Sequence, residues 1–414
     1  MSKKVTIIGG GIIGLASAYY LQANGHQVRV IEQKSVGDSC AQGNAGYISP
    51  SHFIPLAAPG MVKKGLRWLF DPESPFYLHP RFDLDFFSWL WQFNRYCSER
   101  HVQAVKKSLF ELCMQSRELY LAMSQQLDHS FQLQLNGCYV LSKTSKALAA
   151  ENKIVDQAKR LGMQAVTLDA AQIQQRFPEM QFAIEGGVFF PEDAHVQPGL
   201  LLKNLYEYLQ KQDVEFIEHC SIEKISFKAN QVESIFGNGQ QFAVEELVIA
   251  AGCWSPKLAA MLNLKVPVQA GKGYSVTIDN PWSLDTPMIL NESAVAITPL
   301  NGQIRFGGTM EFAGINLAID QQRINGILKS VKNYLPDFEP ASVDRDIAWA
   351  GLRPCTPDGL PMIGRMKGYN NLILATGHAM LGLTLAPVTG LLVSQIVAGE
   401  KCQWQEKISP HRFG

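Results

Sequence analysis

Lys4-Val5-Thr6-Ile7-Ile8-Gly9-Gly10-Gly11-Ile12-Ile13-Gly14 is the stretch that decides the fold of this 414-residue chain. Its β-branched run predicts a buried parallel strand, and a G-x-G-x-x-G motif follows directly. Leu15 to Leu21 has a helical pattern, Val28 to Ile31 predicts a second strand, and Glu32 stands at the end of that strand. Strand, glycines, helix, strand and acid in this order predict a dinucleotide-binding unit.

Each part of this unit has a physical task. Gly9 allows the tight turn, Gly11 lets a pyrophosphate approach the backbone, and Gly14 lets helix and strand pack closely. A carboxylate at Glu32 accepts hydrogen bonds from an adenosine ribose and repels a 2′-phosphate, which disfavours NADP. The predicted cofactor-binding residues of this unit are Gly9, Gly10, Gly11, Ile12, Ile13, Gly14, Glu32 and Gln33.

Two later stretches also predict contact with a flat cofactor. Residues 37–47 are small or polar, and we expect Gly43, Asn44, Ala45 and Gly46 to form a cofactor loop because small residues permit close backbone approach. Residues 247–252 form a continuous apolar run that ends in Ala251 and Gly252, which is typical of a parallel strand whose end faces a ligand.

The bulk composition excludes several classes of function. The chain has 37 basic and 37 acidic residues, so no overall field draws it to nucleic acid. Its eight cysteines show neither C-x-x-C nor zinc-type spacing, so we expect no metal and reduced thiols. The first strand begins almost at Met1, which predicts no signal peptide and a cytoplasmic location. Residues 368–399 lack charge, but their glycines and Pro387 favour a buried strand, turn and helix over a membrane span.

The aromatic-rich residues 53–101 allow two interpretations. We favour core packing and a cover over a pocket. The alternative is a peripheral contact with the inner face of the cell membrane through Trp68-Leu69-Phe70, beside Lys63, Lys64 and Arg67.

The chain as a whole resembles the D-amino acid oxidase-like superfamily of FAD-dependent amine oxidoreductases, and within it the bacterial D-amino acid dehydrogenases. Motifs at both ends and in the middle carry the resemblance. They are residues 5–32, Gly43-Asn44-Ala45-Gly46, residues 250–255, Gly271-Lys272-Gly273-Tyr274, Gly351-Leu352-Arg353-Pro354 with Thr356-Pro357-Asp358-Gly359, and Ala375-Thr376-Gly377-His378.

The resemblance implies an α/β (α+β composite) fold. A Rossmann-like FAD-binding domain with a parallel sheet is expected from residues 1–50, 195–265 and 345–414. A substrate domain with a large mixed or antiparallel sheet is expected from residues 51–194 and 266–344. Since no second G-x-G-x-x-G occurs, the chain shows no separate nicotinamide site, and substrate is expected to meet the flavin directly.

The resemblance also implies the residues that act on the substrate. Arg353 occupies the position of a family arginine that binds the substrate carboxylate, and a planar bidentate donor suits that task. Tyr274 is a possible helper in the pocket, with packing as its alternative. Gly377 and His378 are expected near the cofactor, and His378 is not needed as a base because hydride transfer from a neutral amine requires none.

The last helix is expected to point its N-terminus at the flavin. Reduced flavin is anionic near N1, and free amides of Gly382, Leu383 and Thr384 would stabilise that charge. A sarcosine-oxidase-type flavin linkage needs a cysteine seven residues before Asp358, where this chain has Gly351, so non-covalent FAD is expected.

These features predict FAD-dependent oxidative deamination of D-amino acids, with electrons passing to a quinone or another carrier. The alternative within the family is oxidation of cyclic or N-substituted amines such as D-hydroxyproline, proline, glycine or sarcosine. Two readings from other classes stay open at this point: a nicotinamide-dependent dehydrogenase, and a non-catalytic flavin-binding subunit of a larger complex.

Overall fold

The computed structural model describes residues 2–68, 74–79 and 81–413. The strands are β1 Lys4–Ile8, β2 Gln27–Ile31, β3 Tyr47–Ile48, β4 Phe76–Leu78, β5 Cys138–Ser142, β6 Val166–Asp169, β7 Gly186–Phe190, β8 Ala194–His195, β9 Glu215–Ile217, β10 Ile222–Lys228, β11 Gln231–Gly237, β12 Gln240–Ala243, β13 Glu246–Ile249, β14 Gln269–Asp279, β15 Met288–Leu290, β16 Val295–Leu300, β17 Gln303–Phe312, β18 Trp349–Cys355, β19 Met362–Arg365 and β20 Leu372–Thr376. The α-helices are α1 Ile12–Ala23, α2 Met61–Trp68, α3 Leu84–Tyr96, α4 Glu99–Gln126, α5 Ser145–Arg160, α6 Ala170–Arg176, α7 Pro198–Lys211, α8 Ser255–Ala260, α9 Gln321–Tyr334, α10 Ala386–Ala398 and α11 Gln405–Ile408.

A six-stranded, mostly parallel sheet forms the first layer of the fold. Its order is β19-β20-β13-β1-β2-β9, and only β19 runs antiparallel to its neighbour. The central strands are buried on both faces and consist largely of valine, isoleucine and leucine, as expected for a parallel sheet that is covered on both sides. The predicted Rossmann-like unit is therefore confirmed.

Helices α1 and α10 pack closely against each other beside this sheet. A Cβ atom at Gly390 would lie 2.3 Å from the carbonyl oxygen of Ala16, so only glycine permits the observed approach. Helix α4 joins the same core through Val105, Leu109 and Leu112. This helix lies in residues 51–194, so the apolar face of a segment assigned to the substrate domain packs against the nucleotide-binding core.

The second layer is a large mixed sheet with the order β18-β14-β17-β16-β15-β5-β7-β6, and β4 pairs with β17. Most pairs are antiparallel, while β15 with β5 and β17 with β4 are parallel. Strand β18 pairs with β14 from Trp349 to Cys355, although residues 345–414 were expected in the FAD-binding domain. These two contacts cross the predicted boundaries, and the division into two domains stays a prediction.

Strand β17 carries a β-bulge where it pairs with β14. Lys272 pairs with Glu311 and Tyr274 pairs with Gly308, so two residues, Thr309 and Met310, oppose Gly273 alone. A bulge bends its strand and changes the direction in which nearby groups point. This irregularity lies beside the position of Arg353 on β18.

The described part of the chain contains no helix that is both long and apolar enough to cross a bilayer. Residues 368–399 form β20, a turn and α10, as their glycines and proline predict. The Trp68 side chain and residues 69–70, which carry the alternative of a membrane contact, lie outside the described residues.

Candidate active site

A cavity opens between the two sheets, at the carboxyl ends of β1, β2 and β13, where ligands bind in doubly wound folds. We call the side formed by residues 8–13 and 31–34 the nucleotide wall. We call the facing side, formed by residues 349–354 of β18, the arginine wall. Residues 38–44, 220–222, 250–258 and 375–383 supply further lining groups.

Three glycines shape the nucleotide wall. Gly9 has φ +113°, and a Cβ atom there would lie 2.6 Å from the carbonyl oxygen of Ala250. A Cβ atom at Gly14 would lie 1.8 Å from the carbonyl oxygen of Gly9, so helix and strand touch here. A Cβ atom at Gly11 would have no neighbour closer than 3.9 Å, which leaves the backbone at the N-terminus of α1 open to the cavity. This cradle fits a pyrophosphate.

The Glu32 carboxylate lies at the end of β2 on the same wall. One oxygen accepts a hydrogen bond from the Gly10 amide at 2.7 Å, and the other accepts from the Lys34 amide at 3.0 Å. Each carboxylate oxygen retains further acceptor capacity, so hydroxyl groups of a ribose can bind as well. The backbone thus orients the carboxylate before a ligand arrives.

The turn before α10 forms another edge of the cavity. Gly382 and Leu383 line it. Their amides and that of Thr384 have no hydrogen-bond acceptor within the described chain, since the next amide, that of Leu385, is the first to bond back to residue 381. The positive end of a helix dipole adds to these free donors, so this edge suits negative charge. The Thr384 side chain is turned away and donates to the Tyr47 carbonyl at 2.9 Å.

Arg353 is the charged group of the arginine wall. Its Nη1 donates to the carbonyl of Thr309 at 2.7 Å, and its side chain is half-buried. No carboxylate of residues 2–68, 74–79 or 81–413 forms an ion pair with it, and it faces the cavity. Burial lowers the pKa of the Arg353 guanidinium, but an arginine keeps its charge in proteins. A half-buried cation without a carboxylate partner is suited to an anionic ligand.

Trp349 is a lining residue that sequence analysis missed. A Cβ atom at Gly43 would lie 2.1 Å from its ring, and one at Gly351 would lie 2.0 Å from it. The ring therefore fills the space above two glycines of the cofactor loop and of β18. The spacing of Trp349, Gly351 and Arg353 on one strand was the available signal, because alternate residues share a face.

Of the two interpretations of Tyr274, the structure shows packing and contradicts a place in the pocket. Its side chain is 2% exposed and packs in the core beneath the large sheet. Its hydroxyl donates to a Glu311 oxygen at 2.5 Å, and Glu311 also pairs with Lys272 at 3.3 Å. Since successive residues of a strand point to opposite faces, Gly273 faces Arg353 and Tyr274 faces the core.

His378 lines the cavity as a neutral group. Burial lowers the pKa of His378 to about 3, and its Nε2 lies 2.9 Å from the Thr389 hydroxyl. At this pKa the imidazole is neutral near pH 7 and too weakly basic to hold a proton taken from a substrate. This agrees with a structural or cofactor-loop role and not with that of a base.

The structure brings most of the predicted residues to one cavity. Those that line it are Gly9, Gly11, Ile12, Ile13, Glu32, Gln33, Asn44, Ala251, Gly252, Arg353, His378, Gly382 and Leu383. The predicted residues that lie behind this lining are Gly10, Gly14, Gly43, Ala45, Gly46, Gly377 and Thr384. Lining residues named in no prediction include Cys220, Ser221, Ile222, Trp254, Trp349, Leu352, Pro354, Thr376 and Ala379.

Comparisons with known proteins agree with this geometry. The model of the family described as FAD dependent oxidoreductase (DAO) matches residues 4–396. The D-amino acid dehydrogenase of Neisseria meningitidis serogroup C is 31% identical over 404 residues, which cover 96% of each chain. The D-amino acid dehydrogenase of Vibrio vulnificus is 31% identical over 420 residues, which cover 99% of each chain.

Solved structures share the fold over the whole chain. Glycine oxidase from Geobacillus kaustophilus superposes with a TM-score of 0.81 at 22% identity, covering 100% of this chain and 99% of that one. L-proline dehydrogenase from P. horikoshii gives 0.75 at 18% identity, with 100% and 98% covered. At these identities the likeness shows the fold alone.

Proposed function

Because the chain belongs to the FAD dependent oxidoreductase family and uses FAD as its cofactor, we propose that it oxidises D-amino acids at the α-carbon. The D-amino acid dehydrogenases that are 31% identical over nearly the whole chain support this substrate class. The chemistry that FAD supplies when bound is acceptance of a hydride equivalent at its N5. The chain's own residues bind the cofactor, hold the substrate and stabilise charge.

The observation that carries the proposal is the Arg353 guanidinium. It stands on the arginine wall, faces the nucleotide wall across the cavity, and has no carboxylate partner among the described residues. We infer that it binds the substrate carboxylate through two charge-assisted hydrogen bonds. The bound carboxylate then fixes how the α-hydrogen is aimed, which is the main contribution that positioning makes to the rate.

For FAD we propose that Gly11 and the N-terminus of α1 hold the pyrophosphate and that Glu32 binds the adenosine ribose. The free amides of Gly382 and Leu383 support the pyrimidine edge of the flavin, where reduction adds negative charge. Non-covalent binding is supported by Gly351, which holds the position where a linking cysteine would be required. Ala251 and Gly252 complete the lining at the end of β13.

Anaerobic mixing of the purified holoenzyme with single substrates tests the proposal. D-alanine should bleach the visible flavin band without added nicotinamide, and L-alanine should not. A flavin that none of the D-amino acids reduces would contradict the proposed substrate class. Full bleaching by D-hydroxyproline, proline, glycine or sarcosine alone would favour the alternative of cyclic or N-substituted amines, since these share the carboxylate that Arg353 recognises.

We further propose that electrons leave the reduced enzyme for a quinone or another carrier at the inner face of the cell membrane, the chain itself being cytoplasmic. Helix α3 supports a peripheral membrane contact. Its inner face packs Phe86, while Phe82 just before it is 90% exposed and Trp91 is 60% exposed. Exposed aromatic side chains next to a basic residue such as Arg95 suit a bilayer interface.

Cosedimentation with phosphatidylglycerol vesicles tests this contact. Binding should weaken when Phe82→Ser and Trp91→Ser are combined, and it should persist in the control Leu135→Ser, which changes another exposed apolar side chain. Turnover with a water-soluble dye should be equal in all three proteins. Equal vesicle binding by all three would exclude α3 as the contact.

A further inference from the structure

The β-bulge of β17 contains Thr309, whose carbonyl is a hydrogen-bond acceptor for Arg353 of the arginine wall. Thr309 has φ +66°, a left-handed conformation that is unfavourable for a β-branched residue. Thr309 and Met310 together oppose Gly273, so the ladder is interrupted at this point. The Thr309 carbonyl accepts a hydrogen bond from Arg353 Nη1 at 2.7 Å. The residue with the strained backbone is therefore the residue whose carbonyl contacts the guanidinium.

Gly273 supplies the space in which the guanidinium lies. A Cβ atom built on Gly273 would fall 2.2 Å from Nη1, 2.3 Å from Nη2 and 2.4 Å from Cζ of Arg353. All three distances are far below van der Waals contact, so the guanidinium rests directly on the backbone of β14. No residue other than glycine leaves room for it there.

We propose that Gly273 and the carbonyl of Thr309 are positioning elements that hold Arg353 ready for a substrate carboxylate; this rests on the proposed function of that arginine. A free arginine side chain loses rotamer freedom when it is fixed. Here the fold fixes it before substrate binds, so less of that loss falls on binding. Only one of the five guanidinium N–H groups is used by Thr309.

Substitution of Gly273 by alanine tests the proposal, with Gly271→Ala as the matched control. Gly271 lies two residues earlier on the same strand, but its added Cβ would meet the sulfur atoms of Met310 at 2.3 Å and Cys355 at 3.1 Å. It would approach Arg353 only at the carbonyl oxygen, 3.7 Å away, and not at the guanidinium. We expect Gly273→Ala to lower kcat/KM for D-alanine about 100-fold, mainly through KM, since a displacement of about 1 Å at such a group has that effect. Gly271→Ala should change it much less.

A double-mutant cycle with Arg353→Ala separates positioning from general damage. If Gly273 acts through the arginine, Gly273→Ala should have no further effect on KM once Arg353 is alanine. An equal loss in both backgrounds would overturn the inference. FAD content and the unfolding temperature of each variant are measured alongside, and both should match those of the parent protein.

Thr309→Gly and Thr309→Pro provide a second pair that does not depend on Gly273. Glycine keeps both the left-handed backbone and the carbonyl, so KM should stay at the parent value. Proline cannot adopt positive φ, so the carbonyl turns away and KM should rise. Equal KM in both variants would overturn the role of Thr309. If Arg353→Ala itself leaves KM unchanged, the proposed function fails instead, which distinguishes the two failures.

Discussion

The nucleotide wall and the arginine wall face each other across one cavity, yet they differ in how far apart in the sequence their hydrogen-bonded residues lie. The hydrogen bond from the Gly10 amide to Glu32 joins residues 22 apart within one β-α-β unit. The bond from Arg353 to Thr309 joins residues 44 apart on two strands that both border β14. The nucleotide wall consists mostly of backbone, which is accessible because its glycines carry no side chain. The arginine wall presents a charged side chain that tertiary contacts hold in place. A backbone cradle can therefore be read from a local motif, and a positioned side chain cannot.

Gly14→Ala should break the nucleotide wall and gives the largest expected effect. Its Cβ would lie 1.8 Å from the Gly9 carbonyl oxygen, and neither backbone can yield without separating α1 from β1. We expect a loss of about 3 kcal/mol in the free energy of unfolding together with loss of FAD. Gly11→Ala is the control, because its Cβ points into open space. Chemical denaturation and flavin absorbance should show that Gly11→Ala loses FAD affinity but not stability.

Asp193 lies outside both walls, directly before β8, which pairs with β3. It is fully buried and accepts hydrogen bonds from the Ser51 hydroxyl and amide. Burial raises the pKa of Asp193 to about 7, so the folded protein holds a proton that the unfolded chain releases near pH 4. Its contribution to stability is thus complete below pH 4 and is lost as the pH rises towards 7.

Asp193→Asn should remove that pH dependence, because the amide is uncharged. Its oxygen can accept from the Ser51 amide and its NH2 group can donate to the Ser51 hydroxyl. We expect the difference in unfolding free energy between pH 4 and pH 8 to shift by an amount on the order of 3 kcal/mol. Denaturation at a series of pH values measures it. An unchanged pH profile would show that Asp193 is ionised throughout in the folded protein.

Glu32→Gln tests the carboxylate of the nucleotide wall, whose other proposed cofactor contacts come from the backbone. The neutral amide binds the Gly10 amide and a ribose less strongly than a carboxylate does. The dissociation constant for FAD should rise about tenfold, or about 1.4 kcal/mol, by fluorescence titration. Glu215→Gln, which removes a half-exposed ion pair with Arg29, should leave it unchanged. Tight FAD binding by Glu32→Gln would remove the ribose assignment.

Thr384→Val gives the smallest expected effect. The hydroxyl donates to the Tyr47 carbonyl and accepts from the Ser49 amide at 3.3 Å, which links the turn before α10 to β3 and the residue after it. Its loss should reduce the unfolding free energy by about 1 kcal/mol, and Thr384→Ser should restore it. Because the side chain points away from the cavity, the KM for substrate should be the same in both. A raised KM in Thr384→Val alone would place this hydroxyl in the substrate site.

The sequence motif predicted the nucleotide wall well because each of its contacts is local. The order of strand, glycines, helix, strand and acid fixes Gly9, Gly14 and Glu32 relative to one another without reference to the rest of the chain. The helix that begins at Ile12 and the strands β1 and β2 also follow from local patterns. For these elements the period of apolar residues carries enough information.

For the arginine wall, the sequence predicted only one residue, Arg353, and not the contacts that position it. Resemblance pointed to Arg353, but the side of β14 that faces it depends on strand register and on the bulge at Thr309. A change of one residue in register moves every side chain to the other face, so the resemblance alone could not decide between the pocket and the core for Tyr274. Trp349 was missed because alternation along β18 shows which residues share a face, but not which face lines the cavity. The pairing of β18 with β14 of the large sheet joins distant parts of the chain and could not be predicted from local patterns.

Steady-state kinetics of Arg353→Ala tests the central claim most directly. The guanidinium should account for two charge-assisted hydrogen bonds to the substrate carboxylate, each worth roughly 1.5–3 kcal/mol. The account predicts that KM for D-alanine rises by about 100-fold or more while the protein keeps its full complement of FAD. An unchanged KM in a variant that still binds FAD would contradict it.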